Sequence, residues 1–461
     1  MERAFFMPRK GRIGMALNQK PLLLDVDEKP AFGKGILLSF QHIFAMFGAT
    51  ILVPIILGLP VSAALFASGV GTIIYQIATQ SKVPVYLGSS FAYITAMSIA
   101  IGQLDGDISA AQTGILLVGL IYVIIAALVH MLGTKWIDKL LPPIVIGPMI
   151  MVIGLGLAGT AVQNAGFTTE GNSKEIIVAL ATFLITAFAT TKGKGFVKII
   201  PFLIGIVGGY LVALGLGLVD FTPVIEANWF TLPGLHLPFE TPYFESYSLY
   251  FGPETIAILP VALVTIAEHI GDHTVLGKIT HREFLKDPGL ARTITGDGVA
   301  TAFSALIGGP ANTTYGENTG VIAMTGIASV SVIRNAAFIA IGLSFLGKFT
   351  ALISTIPNPV LGGMSIILYG VIASNGLKVM IEEQVDFNHS RNLIIASSML
   401  VLGLGGAMLN LGDFVSLSGT ALSALAGIIL NLILPQEPQD EVVVESNEKH
   451  IHVNGKSATE M

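Results

Sequence analysis

The sequence predicts an all-α polytopic membrane protein whose fourteen transmembrane segments form a seven-plus-seven inverted repeat. Three observations predict this fold: apolar runs of membrane-spanning length, a one-sided distribution of Lys and Arg, and similarity between the two halves. Of the 461 residues, 52% are hydrophobic and only 12% are charged, and the mean hydropathy is +0.76. Soluble globular proteins do not have this composition.

The apolar runs are about 17 to 25 residues long, the length that crosses a bilayer as a helix. The first seven are residues 36–57, 61–79, 84–101, 111–132, 141–161, 175–191 and 196–219. The second seven are residues 252–276, 290–308, 313–330, 332–353, 357–377, 391–409 and 414–434. The segments that open at Pro84 and Pro310 are short and polar for full helices, so we expect broken segments there, each a short strand plus a half-helix, that meet at the substrate site.

Positive charges predict the orientation of these spans. With fourteen spans, all but two of the 24 Lys and Arg residues fall on one side, the exceptions being Lys174 and Lys348. Positive residues mark the cytoplasmic side, so we expect both termini in the cytoplasm and the protein in the cell membrane. The loop 220–250 has no Lys or Arg and is expected outside. No cleavable signal peptide is visible, and the acidic tail after Pro435 is expected to be disordered.

Similar features recur at similar positions in the two halves. Pro84 and Pro310 are 226 residues apart, and His42 and His269, each early in the first span of its half, are 227 apart. A Pro-rich opening of the fifth span also recurs, as Leu-Pro-Pro-Ile-Val-Ile-Gly at 141–147 and Ile-Pro-Asn-Pro-Val-Leu-Gly at 356–362. Because seven is odd, the second copy must be inserted upside down, which predicts a pseudo-two-fold axis in the membrane plane.

The stretch from Gly308 to Gly326 is polar although apolar runs flank it. It contains Pro310 and Glu317, and irregular polar backbone at membrane depth requires a cavity enclosed by protein. A carboxylate there indicates a functional site. The half-helices are expected to begin near residues 89–91 and 316–318, with unpaired backbone N–H groups that suit a small polar ligand or an anion. Phe91 and Tyr315 would add aromatic faces.

A second acidic site is predicted in the eighth span, which reads Ala-Glu-His-Ile-Gly-Asp-His over residues 267–273. Glu268 and Asp272 are four residues apart and share one helix face. They would repel each other if both were ionised, so one is expected to hold a proton, as a proton-coupling site requires. The alternative is that Asp272 or His273 already reaches the cytoplasmic interface.

Enzyme and metal functions lack a supporting motif. His269 and His273 do not form the His-Glu-x-x-His pattern, and the chain has no cysteine, so we expect no metal site. Residues 88–92 do not form a nucleophile elbow, and no Walker lysine motif occurs. We therefore expect neither an enzyme nor an organic cofactor, only a coupling proton.

Several motifs together resemble the bacterial uracil permeases of the nucleobase/ascorbate transporter family. They are Gln-His-Ile-Phe-Ala-Met-Phe-Gly-Ala-Thr at 41–50, Gly-Ser-Ser-Phe-Ala at 88–92, Ala-Glu-His-Ile-Gly at 267–271, Asp-Pro-Gly-Leu at 287–290 and Asn-Thr-Thr-Tyr-Gly-Glu-Asn at 312–318. Residues 317–326 match the family signature, and the similarity covers nearly all of 36–434. The resemblance implies uracil transport by proton symport and a homodimer in the lipid bilayer, with no nucleic acid partner.

The resemblance also implies a division into domains. The core domain comprises residues 36–134 and 252–355, and the gate domain comprises residues 135–219 and 356–434. Residues 1–35 form a cytoplasmic segment, 220–251 an extracellular loop, and 435–461 a cytoplasmic tail.

Residue roles follow from the resemblance position by position. Glu268 and Glu317 bind the uracil ring edge, Phe91 and Gly316 supply backbone hydrogen bonds, and Tyr315 lies beside the pocket. Asp272 stands where a well-characterised uracil permease has a histidine, which leaves the coupled proton on Asp272, on Glu268 or on the two as a pair.

Three other functions compete with uracil symport. A xanthine or uric acid symporter would use the same scaffold, but a glutamate at position 317 accepts N–H bonds, which favours uracil. An anion transporter of related fold would meet repulsion from Glu317. A membrane-embedded enzyme would release a chemically altered product.

Overall fold

The computed structural model describes residues 22–169, 171–411 and 415–435. The first half contains helices α1 Phe32–Leu57, α2 Val61–Ala78, α3 Ile94–Gln103, α4 Ser109–Leu132, α5 Lys135–Leu140, α6 Pro143–Gly156, α7 Ala158–Asn164, α8 Ser173–Lys192, α9 Phe196–Ile199 and α10 Pro201–Gly215. The rest contains α11 Thr222–Glu226, α12 Pro253–Ile256, α13 Val261–Thr280, α14 Leu290–Leu306, α15 Gly316–Thr325, α16 Val330–Ser344, α17 Gly347–Ser354, α18 Asn358–Glu382, α19 Ser390–Leu404 and α20 Gly419–Ile433.

Short strands complete the fold, as β1 Leu87–Ser89, β2 His236–Leu237, β3 Glu245–Ser246, β4 Asn312–Thr314, β5 Leu409–Leu411 and β6 Val415–Leu417. They pair as β1 with β4, β2 with β3 and β5 with β6. Most of the predicted N-terminal segment, 1–21, and almost all of the tail, 436–461, lie outside the described residues.

The predicted spans are confirmed. Within the described residues, seven helical segments are at least 18 residues long and apolar enough to cross a membrane, counting α6 with α7 and α12 with α13 as one segment each. Five shorter apolar segments have 10 to 17 residues. The remaining two spans are α14 and the half-helix α15. Some spans are divided: the predicted span 252–276 begins with α12, bends at Pro260 and continues as α13 to Thr280. Proline fits the first turn of a helix because its missing N–H has no partner there.

Both broken segments consist of a strand followed by a half-helix, as predicted. Strand β1 leads through the 3₁₀ turn Phe91–Tyr93 into α3, and β4 leads into α15. The two strands pair antiparallel, with Leu87 opposite Thr314 and Ser89 opposite Asn312. The half-helices therefore run in opposite directions from the two ends of one ribbon.

The packing of the helices shows the inverted repeat. Helix α4 packs on α14 and α2 packs on α16. These are spans 4 with 9 and spans 2 with 11, so exchanging the halves turns one pair into the other. The same exchange relates α8–α10 to α19–α20 and α8–α18 to α6–α19. Each of these pairs lies inside one of the two predicted domains, whose boundaries and motions stay predictions.

Small residues let the crossing helices approach closely. A Cβ on Gly119 of α4 would lie 2.6 Å from the carbonyl oxygen of Gly298 on α14 and 2.7 Å from the Cβ of Ala302. Close backbone approach of this kind is how membrane helices gain packing without a hydrophobic driving force. The contact between α4 and α14 therefore depends on glycine at position 119.

We expect Gly119→Ala to destabilise the protein by about 1–3 kcal/mol, because the added methyl group overpacks this crossing. The measurement is thermal melting in detergent micelles. Gly342→Ala in α16 is the matched control, since a Cβ there would meet nothing within 4 Å. Equal melting temperatures for the two variants would contradict the close packing of α4 on α14.

Candidate functional site

The ribbon of β1 and β4 holds Tyr315 at the start of α15. The Tyr315 N–H donates to the Tyr86 carbonyl over 3.0 Å. The Tyr315 hydroxyl lies 3.0 Å from Thr50 Oγ1 of α1 and donates to the Ser89 carbonyl over 3.1 Å. A Cβ on Gly88 would lie only 2.4 Å from the Tyr315 ring, so glycine makes room for the ring. Tyr315 thus joins α1 to both broken segments.

Three carboxyl groups meet beside this ribbon. Glu268 and Asp272 lie one turn apart on α13, and Glu317 lies in the first turn of α15, which packs against α13. Thr314 Oγ1 donates to Asp272 Oδ2 over 2.9 Å, and a Cβ on Gly316 would lie 3.7 Å from Asp272 Oδ1. The three acids are half-buried and Gly316 is exposed, although Tyr315 and Asn318 around them are buried. The predicted residues of α13 and α15 therefore come together at one accessible polar point.

Four buried polar atoms on α13 and on the two broken segments have no hydrogen-bond partner within the described residues. They are Glu268 Oε2, Ser89 Oγ, Ser90 Oγ and Thr313 Oγ1. Most buried polar groups in proteins are bonded to protein or water. Unsatisfied polar atoms on the elements that carry the acids are candidate partners for a small polar ligand.

Phe91 lies on the opposite side of the ribbon from α15, at the first turn after β1. Its buried ring packs edge-on against Tyr369 of α18, with ring centroids 5.8 Å apart. Tyr369 was not among the predicted residues, because nothing near it in the sequence is unusual. Through this contact, Phe91 joins the first broken segment to α18.

A buried polar chain lies behind the acids. Asp297 Oδ2 of α14 lies 2.9 Å from His269 Nδ1, and the His269 and His273 rings stack with centroids 4.0 Å apart. His273 Nε2 is hydrogen-bonded to the Tyr75 hydroxyl. His273 is 1% exposed, so its side chain is buried within the protein.

Asp297 was not among the residues predicted from the sequence, although the sequence contains a signal for it. It is a carboxylate inside the predicted span 290–308, and ionisable residues within membrane spans indicate function. His42 also has a defined partner, since the Asn318 amide nitrogen lies 3.1 Å from His42 Nδ1 and from its carbonyl oxygen. This contact fixes α15 to α1 one residue after Glu317.

The inverted repeat, the paired broken segments and the polar junction between them define a multi-pass membrane transporter. Residues 33–412 match the model of a family described as the permease family, and the chain belongs to that family. The prediction of a transporter rather than an enzyme is confirmed.

The most similar relatives include three bacterial uracil permeases. That of Bacillus caldolyticus is 48% identical, covering 94% of this chain and 99% of the relative. That of Bacillus subtilis (strain 168) is 46% identical, covering 94% and 100%. That of Escherichia coli (strain K12) is 41% identical, covering 93% and 98%.

Solved structures of transporters share the fold. The transmembrane domain of the cyanobacterium bicarbonate transporter BicA matches with a TM-score of 0.61 at 17% identity, covering 87% of this chain and 98% of that one. The murine anion transporter Slc26a9, in its inward-facing state, matches with a TM-score of 0.64 at 11% identity, covering 88% and 68%. At these identities the likeness confirms the predicted fold and says nothing about the transported molecule.

We expect Tyr315→Phe to destabilise the protein by about 1–3 kcal/mol, because it leaves buried partners at Thr50 and Ser89 unsatisfied. Denaturant unfolding of the purified protein in detergent measures the change. Tyr243→Phe serves as the control, since Tyr243 lies in the long loop and is 77% exposed. A Tyr315→Phe protein as stable as the control would show that these hydrogen bonds do not hold the ribbon to α1.

Proposed function

We propose that the protein imports uracil across the cell membrane by proton symport. The observation that carries this proposal is the similarity to uracil permeases along almost the whole chain, 94% of it at 48% identity. The placement of the half-buried acids Glu268, Asp272 and Glu317 on two helices that pack together supports it.

The chemistry of the junction suits the uracil ring. Uracil presents ring N–H donors and carbonyl acceptors along its edge. In the proposed complex, the carboxylates of Glu268 and Glu317 accept the ring N–H groups, since ionised carboxylates are pure acceptors. The backbone N–H groups of Phe91 and Gly316, at the starts of the two half-helices, donate to the carbonyls. Tyr315 lies beside the ring and keeps the ribbon in place.

Asp272 is proposed to take part in proton coupling, alone or as a pair with Glu268. It lies one turn after Glu268 on α13, and its carboxyl group is held by the Thr314 hydroxyl. Like charges this close oppose joint ionisation. A proton bound at this pair would lower the repulsion as uracil arrives, which links the two binding events.

Transport would require the core and gate domains to move relative to each other, by an elevator or a rocking motion. The contact of Phe91 with Tyr369 of α18 lies between the proposed domains. The distribution of Lys and Arg supports cytoplasmic termini in the cell membrane. We also propose a homodimer, as the family resemblance implies.

An anion transporter is disfavoured, although BicA and Slc26a9 share the fold. An anion held at the starts of the half-helices would lie next to Glu317, the second residue of α15. A carboxylate there repels anions. The remaining rival is a xanthine or uric acid symporter on the same scaffold.

We expect wild-type protein in proteoliposomes to accumulate radiolabelled uracil under an inward proton gradient. Glu317→Gln should weaken uracil binding by about 1.5–3 kcal/mol, or roughly ten- to hundredfold, because a charge-assisted acceptor is lost. Glu226→Gln is the control, since Glu226 lies in the exposed loop 220–250. Uptake of xanthine instead of uracil would show that the proposed substrate is wrong, and uptake of neither would reject nucleobase transport.

We expect Asp272→Asn to abolish the dependence of uracil uptake on the proton gradient, because asparagine cannot bind and release a proton. Uracil binding to the detergent-solubilised variant should persist, since asparagine preserves the side-chain shape beside Thr314. The measurement compares uptake at several external pH values with and without the gradient. A folded variant whose uptake still follows the gradient would remove Asp272 from the coupling mechanism.

A further inference from the structure

Residues 22–29, here called the N-terminal strap, run along the segment following α15 and contain a turn in which the Glu28 N–H donates to the Asp25 carbonyl. The Leu23 N–H donates to the Gly326 carbonyl over 2.7 Å, and the Ala328 N–H donates to the Leu24 carbonyl over 2.8 Å. A third bond of 3.0 Å joins the Val330 N–H to the Val26 carbonyl. The strap is thus held by backbone hydrogen bonds to the connection between α15 and α16.

Val26 anchors the strap in an apolar cluster. Its side chain is only 1% exposed. The cluster contains Leu276 of α13, Ile322 of α15 and Leu87 of β1. One buried side chain of the strap is therefore shared by the two helices that carry the acids and by the ribbon.

Arg282 adds an ionic contact from the end of α13. Its Nη2 atom lies 3.0 Å from Asp25 Oδ2 and 2.9 Å from Asp27 Oδ2. The Val26 N–H and the Arg282 guanidinium hold the pKa of Asp25 below its usual range, so this carboxyl group is ionised at neutral pH. Arg282 lies two residues beyond Thr280, the last residue of α13, on the side rich in Lys and Arg.

The strap thus ties together the C-terminal ends of α13 and α15. The candidate site residues lie in the middle of α13 and in the first turn of α15. Helix α13 carries Glu268 and Asp272, and α15 begins at Gly316 and ends at Thr325. A ten-residue helix is a rigid rod of about 15 Å. A displacement of its far end therefore moves Glu317 relative to Glu268.

We propose that the N-terminal strap sets the spacing between Glu317 and Glu268, and that Arg282 is a positioning residue for substrate binding. Arg282 acts through the strap and touches no substrate. This inference rests on the proposed function only for its uptake measurement, because its structural part has a readout that needs no substrate.

The structural test uses the absence of cysteine from the chain. Val26→Cys in inside-out vesicles should react slowly with a membrane-impermeant maleimide, and adding Arg282→Gln should speed the reaction roughly 5- to 30-fold by favouring local opening. Leu23→Cys is the control, since Leu23 is 72% exposed in the same strap. Its labelling rate should be the same with and without the Arg282→Gln substitution. Unchanged protection of Val26→Cys would overturn the proposed tie.

The functional test separates positioning from general damage. Arg282→Gln should raise the KM for uracil roughly two- to thirtyfold with a smaller change in maximal rate. Arg282→Lys should restore most of the wild-type KM, because it keeps the charge. Asp25→Asn with Asp27→Asn should add no further loss to Arg282→Gln, since the three charges act as one unit. Lys286→Gln is the control, because the Lys286 ion pair is with Glu283 of the same loop.

The outcomes distinguish the two proposals. Faster labelling of Val26→Cys with an unchanged KM would show that the strap is a structural tie without a positioning role, which overturns the inference. If wild type takes up no uracil, the proposed function fails, and the same KM comparison is then made with xanthine. An equal rise in KM for Lys286→Gln would also overturn the inference, because it would show a general effect of charge at this surface.

Discussion

The structure depends on one constraint, that polar backbone groups at membrane depth must be bonded within the protein. Strands β1 and β4 satisfy each other's backbone groups by pairing. The Ser90 N–H donates to the Ala311 carbonyl and the Tyr315 N–H donates to the Tyr86 carbonyl, which extends the ribbon at both ends. Because the ribbon is only three residues long on each side, both chains return to helix at once. The starts of the two half-helices therefore lie within one small region. The first backbone N–H groups of each half-helix have no hydrogen-bond partner within that helix.

Two of the three acids at this place have a supporting contact. Asp272 is held by Thr314 of the ribbon, and Glu317 lies in the first turn of α15, where the helix dipole favours negative charge. Glu268 retains an oxygen that no group of the described chain satisfies.

Hydropathy and charge were sufficient to predict the spans, and Pro84 and Pro310 marked the broken segments, because these signals are local. Glu268, Asp272 and Glu317 could be selected because a carboxylate is costly in a membrane wherever its partners lie. The contacts of Tyr369 and Arg282 could not be predicted. Arg282 and Asp25 are separated by 257 residues, so their pairing follows from the packed fold, and the register of three-residue strands has no pattern that specifies it.

The exchange of partners between the two halves has a consequence for biogenesis. Helices α2 and α4 bury their faces against α16 and α14, which begin about 270 and 180 residues later in the chain, respectively. The first seven spans therefore enter the membrane without the surfaces that will stabilise them, and lipid must cover those surfaces until the second half arrives. Although the repeat resembles two joined copies of one domain, neither half can form these packing contacts alone. The two halves therefore assemble as a single cooperative unit.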